Sequence, residues 1–135
     1  MKDQPIERIR NIALVGHGSS GKTTLAAGFL FNTGATGRLT KVDKGNTVTD
    51  YDPEEVERRI TINSATCFCE WQDHRFNLID TPGKANFLWD TKTVLRAADA
   101  ALLVVCGVAG VEVGTEKVWE MLEEYELPRL IVINK

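Results

Sequence analysis

The strongest structural signal in this chain is the stretch GHGSSGKT at residues 16–23. It fits the pattern G-x-x-x-x-G-K-[ST], in which glycines let consecutive backbone N–H groups point into one concavity that can hold phosphate oxygens. The surroundings fit as well, because residues 9–15 predict a strand before it and residues 22–32 predict a helix after it. A chance match in a chain of this size is on the order of half a percent. We therefore predict a phosphate-binding loop, with a plain Gly/Ser connector as the alternative.

The residues of the loop indicate the chemistry of its ligand. The following helix would direct the positive end of its dipole into the same concavity. Lys22 supplies a movable cation for the outer phosphates, and the hydroxyl of Thr23 can bind Mg²⁺. A nucleoside triphosphate is the predicted ligand, and the loop leaves the base open. The predicted nucleotide-binding residues here are Gly16, His17, Gly18, Ser19, Ser20, Gly21, Lys22, Thr23 and Thr24.

Short apolar runs alternate with helical patterns along the rest of the chain. Residues 61–70 and 75–80 predict two strands joined by a short turn. Residues 100–106 and 129–134 are continuous apolar runs, typical of strands buried on both faces of a parallel sheet. One helix is predicted before the first of these runs, at residues 88–98, and a second between the two runs, from a capping threonine at position 115 onward. This alternation indicates an α/β layered sheet.

Residues 35–60 form a polar segment without apolar periodicity, rich in Thr, Asp, Glu and Arg. A connection this long inside a small domain is typically functional or disordered. We predict a loop here. Arg58 and Arg59 lie near its end and could act as a catalytic arginine or remain solvated charges.

Composition limits the function classes. The 135 residues indicate one domain, and 16 basic against 19 acidic residues argue against a nucleic-acid binder that works by bulk charge. The N-terminus is polar and unlike a signal peptide, and the longest apolar run, residues 100–111, is too short to span a bilayer. Three cysteines fit a reducing cytosol. Cys67 and Cys69 predict core packing on one strand face, since a zinc site lacks two further ligands. We predict a cytoplasmic protein without membrane or DNA partners.

A second motif, LIDTPGKANF, follows at residues 78–87. In a phosphate-loop protein, an aspartate at the end of a neighbouring buried strand, here Asp80, reaches the metal. Gly83 has no side chain and can present its N–H to the terminal phosphate. The D-x-x-G pattern therefore predicts a sensor of that phosphate, with a simple turn as the alternative.

With both motifs in place, the chain resembles the GTP-binding domain of translational GTPases, most closely elongation factor G and its paralogues. That family has G-H-V-D-A-G-K-T-T, R-G-I-T-I, D-T-P-G-H-V-D-F and N-K-x-D, and the matching stretches are GHGSSGKTT, RRITI at 58–62, DTPGKANF at 80–87 and NK at 134–135. The resemblance implies a three-layer phosphate-loop G domain, mostly parallel with one antiparallel strand. Residues 1–135 would be a partial G domain that stops before its last strand, with further domains after it.

The resemblance also assigns residues. It implies a phosphate loop at 16–23, switch I at about 35–62 and switch II at about 80–90. Thr23, Thr61 and Asp80 would hold Mg²⁺, with Asp80 acting through a water. The further GTP-binding residues it implies are Asp80, Thr81, Pro82, Gly83, Lys84, Asn134 and Lys135. Asn134 would bond the guanine, and the guanine-selecting aspartate would come two residues after Lys135.

Among the positions that depart from the family pattern, four change the chemistry of the side chain most. Ser19 replaces an aspartate, Arg59 a glycine, Lys84 a histidine and Asn86 an acidic residue. The family histidine is thought to position the attacking water, whereas a lysine ammonium has donors and no acceptor. Lys84 is the candidate catalytic residue by position. We expect intact GTP binding, with hydrolysis on the ribosome that is weaker or differently organised.

The resulting prediction is a Mg²⁺-dependent GTP-binding and GTP-hydrolysing domain of an elongation factor G-like protein that acts on ribosomal RNA and proteins. One alternative is a phosphate-loop ATPase or small-molecule kinase. Another is a non-catalytic, nucleotide-gated ribosome-binding module. A ribosome-protection or release-factor relative belongs to the same class. Trp71, Trp89 and Trp119 predict core or interface packing.

Overall fold

The computed structural model describes residues 4–135, so the first three residues of the predicted domain lie outside it. One five-stranded sheet has the order β2-β3-β1-β4-β5. Strand β1 pairs in parallel with β3 and β4, β4 pairs in parallel with β5, and β2 is antiparallel to β3. The strands are β1 (Ile9–Val15), β2 (Ala65–Trp71), β3 (His74–Asp80), β4 (Ala100–Cys106) and β5 (Arg129–Asn134). The α/β prediction, mostly parallel with one antiparallel strand, is confirmed.

Helices cover both faces of the sheet. They are α1 (Lys22–Asn32), α2 (Pro53–Arg58), α3 (Leu88–Leu95) and α4 (Val113–Glu124). On one face, Ala13 and Val15 of β1 pack with Leu95 of α3 and Val118 of α4. On the other, Leu30 of α1 packs with a cluster that includes Ile12, whose side chain points opposite to that of Ala13. The fold therefore has three layers.

The cysteines of β2 lie in the second core. Cys67 and Cys69 are buried there with Leu78, and both thiols are free. Burial raises the pKa of the Cys67 thiol to about 12. The core-packing prediction is thus confirmed.

The loop predicted at residues 35–60 is wrong in part, because helix α2 lies within it. Asp52 caps this helix by accepting from the Glu54 N–H at 2.8 Å, and Pro53 occupies its first position. The Glu55 carboxylate returns to the Asp52 N–H at 3.2 Å. Pro at the first helical position and a reciprocal cap are the usual signals of a helix start, so local chemistry outweighed the missing apolar pattern. A single 3₁₀ turn at Val42–Lys44 is the other regular element of the segment.

Other boundaries differ as well. Strand β2 begins at Ala65 rather than at residue 61, because the Ile62 and Asn63 N–H groups donate to a side chain instead of a neighbouring strand. Helix α3 ends at Leu95, and α4 begins at Val113, where Thr115 is the third residue and not the cap.

The tryptophans do not pack in the core. Trp71 is 54% exposed, Trp89 is 80% exposed and Trp119 is 39% exposed. Trp119 follows the buried Val118 in α4 and faces outward, where the guanidinium of Arg129 lies 4.2 Å from its ring centre. The core alternative of the prediction is therefore wrong, and interface packing stays a prediction.

The sheet ends in β5, whose outer side chains are exposed, with Leu130 at 69% and Ile133 at 76%. Within residues 4–135, no helix has the length and apolar character needed to cross a membrane.

Candidate nucleotide-binding site

The candidate site lies where β1 and β3 end side by side. These strands run parallel with Leu14 opposite Asp80, so the loop after β1 begins beside the Asp80 carboxylate. The Thr81 hydroxyl donates to the Leu14 carbonyl at 2.8 Å and joins the two strand ends. Ligands of open α/β sheets bind at this carboxyl edge.

The phosphate loop is held by contacts to its own backbone. Gly21 has φ +102°, and a Cβ added there would lie 2.1 Å from the Asn134 amide nitrogen. That amide donates to the Ser20 carbonyl at 2.9 Å, and the Lys135 ammonium donates to the Ser19 carbonyl at 2.6 Å. Only glycine allows this conformation together with so close an approach. The last two residues thus lie against the loop, as the NK match requires.

Lys22, the first residue of α1, is buried with its ammonium directed along the loop. It donates to the Gly16 carbonyl at 3.2 Å and to the His17 carbonyl at 3.0 Å. Burial lowers the pKa of Lys22 to about 8, although the charges of Asp80 and Asp50 act in the opposite direction. Since these two carbonyls are its hydrogen-bond acceptors within residues 4–135, the ammonium has a donor left for an anionic ligand.

Three residues predicted to hold a metal meet beside this lysine. The Thr23 and Thr61 hydroxyl oxygens are 3.1 Å apart, although 38 residues separate them in the chain. Asp80 is fully buried, and its Oδ2 accepts from the Thr49 hydroxyl at 2.9 Å, while its Oδ1 has no hydrogen-bond partner within residues 4–135. Thr61 donates to Asp50 Oδ1 at 2.9 Å.

Burial raises the pKa of Asp80 to about 6, with the Thr23 hydrogen bond, the Lys22 charge and the Thr49 hydrogen bond acting against it. Burial also raises the pKa of Asp50. Two carboxylates share this small space with one buried ammonium, so the cluster favours an added cation.

The residues present fit a magnesium ion. Mg²⁺ takes oxygen ligands at about 2.0–2.1 Å in an octahedron, which places neighbouring ligand oxygens about 2.9 Å apart, close to the separation of the two threonine hydroxyls. The unpaired Asp80 Oδ1 gives a further oxygen, directly or through water. Within the described chain, no group of three or more His, Cys, Asp or Glu residues could hold a metal. Phosphate oxygens commonly complete such a magnesium site.

Gly83 and Lys84 lie over the phosphate loop. A Cβ on Gly83 would be 2.5 Å from the Lys22 ammonium and 2.6 Å from the Gly18 nitrogen, so only glycine fits. The Lys84 side chain is exposed, and its stem would lie 3.3 Å from a Cβ on Gly18. The D-x-x-G turn is thus in contact with the loop.

These elements enclose an open pocket of about 400 Å³. The phosphate loop and α1 form its floor, residues 39–43 and 59–61 form one wall, and residues 83–84 form another. Of the predicted site residues, those lining it are Gly18, Ser19, Gly21, Lys22, Thr23, Thr24, Thr61, Gly83, Lys84 and Lys135.

Some predicted residues point elsewhere. Thr81 is bonded to Leu14, and the Pro82 carbonyl accepts from Thr91 at 2.9 Å. The His17 ring faces α4, where its Nδ1 accepts from the Gly114 N–H at 3.2 Å and its Nε2 lies 3.4 Å from a Glu112 carboxylate oxygen. These residues can reach a ligand in the pocket only through their backbone.

Sequence reasoning missed Thr49, Asp50 and Glu55. All three are buried polar residues of the segment predicted as a loop. In the sequence, Asp50 and Glu55 cannot be distinguished from neighbouring acids such as Asp52 and Glu54. Which of these acids is buried depends on the path of the folded chain.

Comparisons with known proteins agree with this geometry. The family model described as the elongation factor Tu GTP-binding domain matches residues 7–135. The chain is 44% identical over all of its length to a mitochondrial ribosome-releasing factor 2 of Scheffersomyces stipitis and to an elongation factor G of Granulibacter bethesdensis. It spans only 16% and 20% of their lengths.

Solved structures show the same likeness. A crystal structure of a Thermus thermophilus protein matches 93% of this chain and 19% of that one, with a TM-score of 0.90 and 44% identity. A bacterial selenocysteine-specific elongation factor matches 92% of this chain and 19% of that one, with a TM-score of 0.72 and 25% identity. The resemblance inferred from the motifs is confirmed, and the chain belongs to the elongation factor Tu GTP-binding domain family.

Proposed function

We propose that this chain is the GTP-binding and GTP-hydrolysing domain of an elongation factor G-like translation factor that works on the ribosome in the cytoplasm. The observation that carries the proposal is the approach of the Thr23 and Thr61 hydroxyl oxygens to 3.1 Å beside the phosphate loop, together with the buried Asp80 carboxylate, whose Oδ1 has no hydrogen-bond partner within residues 4–135. The names of two relatives that match the whole chain, an elongation factor G and a ribosome-releasing factor, support ribosomal work.

The chain's own residues would bind the nucleotide in two parts. Backbone N–H groups of the phosphate loop and the Lys22 ammonium would hold the phosphates, since both are donors at a helix start. Asn134 would bond the guanine, and the stem of Lys135 would pack over it. Both of these residues donate hydrogen bonds to the loop, so the residues that bind the base and those that bind the phosphates would be in direct contact.

Thr23, Thr61 and Asp80 would hold Mg²⁺, which would offset negative charge on the phosphates. Asp50 accepts the Thr61 hydroxyl proton, so the oxygen of that hydroxyl can present a lone pair to the ion. Gly83 would offer its N–H to the terminal phosphate. Residues 35–62 and 80–90 would then be switches I and II, ordered by the triphosphate and released after its loss.

Calorimetric titration of the full-length protein with GTP, GDP and ATP, in Mg²⁺ and in EDTA, tests this proposal. We expect GTP and GDP to bind at least about tenfold more tightly than ATP, because a site that hydrogen-bonds a base rejects analogues with other donors. We also expect Mg²⁺ to strengthen GTP binding. Equal affinity for ATP would favour the ATPase or kinase alternative and contradict the proposal.

Lys84 favours a second candidate, a nucleotide-gated module with little hydrolysis. The stem of this exposed side chain lies against Gly18 of the phosphate loop, and Lys84 occupies the sequence position of the family histidine. It can offset charge on the transferred phosphoryl group but cannot accept a proton from water.

Single-turnover GTP hydrolysis on ribosomes, measured for the full-length protein and for Lys84→His, separates the two candidates. We expect the histidine variant to be at least about tenfold faster, since a positioned acid–base group contributes on the order of a hundredfold or more. A variant no faster than the parent would show that Lys84 does not limit hydrolysis.

A further inference from the structure

Glu55 of α2 is a buried acid that sequence reasoning did not single out. Only 2% of its surface is exposed. Its carboxylate accepts from three backbone N–H groups, those of Asp52 at 3.2 Å, Ile62 at 2.9 Å and Asn63 at 3.0 Å. Within residues 4–135 it forms no ion pair. Backbone dipoles therefore balance its charge.

The main chain of Glu55 adds two more contacts. Its carbonyl accepts from the Arg59 N–H that ends the helix and from the Ile60 N–H at 3.2 Å. The residues before and after Thr61 are thus both bonded to Glu55, Ile60 to its carbonyl and Ile62 to its carboxylate. Both neighbours of Thr61 are therefore anchored to the same residue.

Regular secondary structure contributes little to holding that position, although the Ser64 N–H donates to the Asp90 carboxylate at 2.6 Å. Helix α2 has six residues, too few to persist alone in water. It ends at Arg59 with φ +55°, a left-handed conformation that a residue with a Cβ adopts at a cost. The next regular element, β2, begins only at Ala65.

The Thr61 hydroxyl is the group that this backbone placement brings to the pocket. Its hydroxyl lies 3.1 Å from that of Thr23 and bonds Asp50. Glu55 itself does not line the pocket. Its carboxylate can therefore act on the ligand only indirectly, and the placement of Thr61 is the route that its side-chain hydrogen bonds indicate.

We propose that Glu55 is the positioning residue that holds Thr61 over the phosphate pocket and thereby sets how strongly the protein distinguishes a triphosphate from a diphosphate. This inference rests on the proposed function. The phosphate loop would bind the phosphates that GTP and GDP share, whereas the segment at residues 35–62, which carries Thr61, would contact the terminal phosphate. Loss of Glu55 should therefore weaken triphosphate binding selectively.

The test compares the affinities of the full-length protein for GDP and for a non-hydrolysable GTP analogue in Mg²⁺. We expect Glu55→Ala to lower affinity for the analogue about tenfold, the scale of one hydrogen bond to a charged group, and to leave GDP affinity within about twofold. Glu55→Gln keeps one acceptor oxygen and should give an intermediate loss. Glu57→Gln, an exposed acid on the same helix, is the matched control and should change neither affinity.

Two further measurements separate positioning from general support of the fold. Thr61→Ala should lower affinity for the analogue as Glu55→Ala does. The double variant should lose no further affinity, because both changes disrupt the same placement of the Thr61 hydroxyl. Amide exchange at Ile62 and Asn63 should accelerate in Glu55→Ala even without nucleotide, since both N–H groups lose their acceptor.

Equal loss of both nucleotides in Glu55→Ala, an unchanged affinity ratio, full additivity with Thr61→Ala or retained amide protection would each overturn the inference. If the parent binds GTP with Mg²⁺ and Thr61→Ala alone changes the ratio, only the role of Glu55 fails. If the parent binds no guanine nucleotide, the proposed function and the inference fail together.

Discussion

The phosphate loop and the segment at residues 35–62 border the same pocket, yet different kinds of contact hold them. The loop, between β1 and α1, depends on glycine conformation and on main-chain carbonyls that accept from Lys22 and Asn134. The segment depends on side-chain acceptors such as Glu55 and Asp50. A loop held by the main chain keeps its shape whatever it binds, whereas a segment held by a few buried acids can be released when one contact is lost.

The largest expected effect comes from Lys22→Met, which keeps the length of the side chain and removes its charge. We expect affinities for GTP and GDP both to fall by about a hundredfold, because charge-assisted hydrogen bonds to shared phosphates are lost. The ratio of the two affinities should stay unchanged, unlike in Thr61→Ala. Titration calorimetry on the full-length protein measures both. A loss confined to GTP would contradict the assignment of the shared phosphates to the loop and of the terminal phosphate to the segment.

Two glycine substitutions compare the regions directly. Gly21→Ala should lower the free energy of opening of α1 by about 2 kcal/mol, because the left-handed backbone and the Asn134 contact leave no room for a Cβ. Gly37→Ala, with nothing within 4 Å of its added Cβ, should change the same quantity by less than about 0.5 kcal/mol or stabilise slightly. Native-state hydrogen exchange at α1 amides provides the measurement. Equal effects of the two substitutions would contradict the expected difference between the loop and the segment.

The pH dependence of magnesium binding probes the junction of the two regions. Since burial raises the pKa of Asp80 to about 6, protons compete with Mg²⁺ near that pH. The gain in GTP affinity from Mg²⁺ should be complete above about pH 7 and lost as the pH falls through about 6, decreasing roughly tenfold by about pH 5.

GDP affinity in EDTA is the control for that experiment, because it involves no competition between proton and ion at Asp80. It should show a weaker dependence over the same range. A magnesium effect that persists unchanged at about pH 5 would mean that Asp80 does not bind the ion or its water.

The smallest expected effect is that of Arg59→Gly. Arg59 has φ +55°, which glycine adopts without steric cost, so we expect the segment to gain about 0.5–1 kcal/mol. Amide exchange at Ile62 and Asn63 should slow several-fold. Arg58→Gly, at the last helical residue of α2, is the matched control and should speed exchange. Faster exchange in Arg59→Gly would show that strain at this turn is not what limits the segment.

The loop could be predicted from sequence because its signals are local. The helix predicted at residues 22–32 is α1, residues 9–15 form β1, and residues 100–106 and 129–134 form β4 and β5. Glycines, a lysine and an apolar run at fixed spacing require no knowledge of distant residues. The same holds for the D-x-x-G turn after β3.

The segment could not be predicted in the same way. The Glu55 carboxylate accepts from backbone groups up to eight residues away, and Thr61 meets Thr23 across 38 residues. Periodicity carries no trace of such contacts. The capping signals at Asp52 and Pro53 are local, but they mark a helix that has no apolar spacing to support it. The exposure of the tryptophans could not be predicted for a related reason, since hydrophobic character does not say which side of an element faces outward.

The exposure of Trp89 has a practical consequence. Its indole stands 80% exposed in α3, only six residues after the glycine that touches the phosphate loop. The emission of an indole depends on its contact with water, so the protein carries a native fluorophore within the proposed second switch. Trp71 and Trp119 lie in β2 and α4, outside both proposed switches. Nucleotide exchange could therefore be followed in real time without any attached dye.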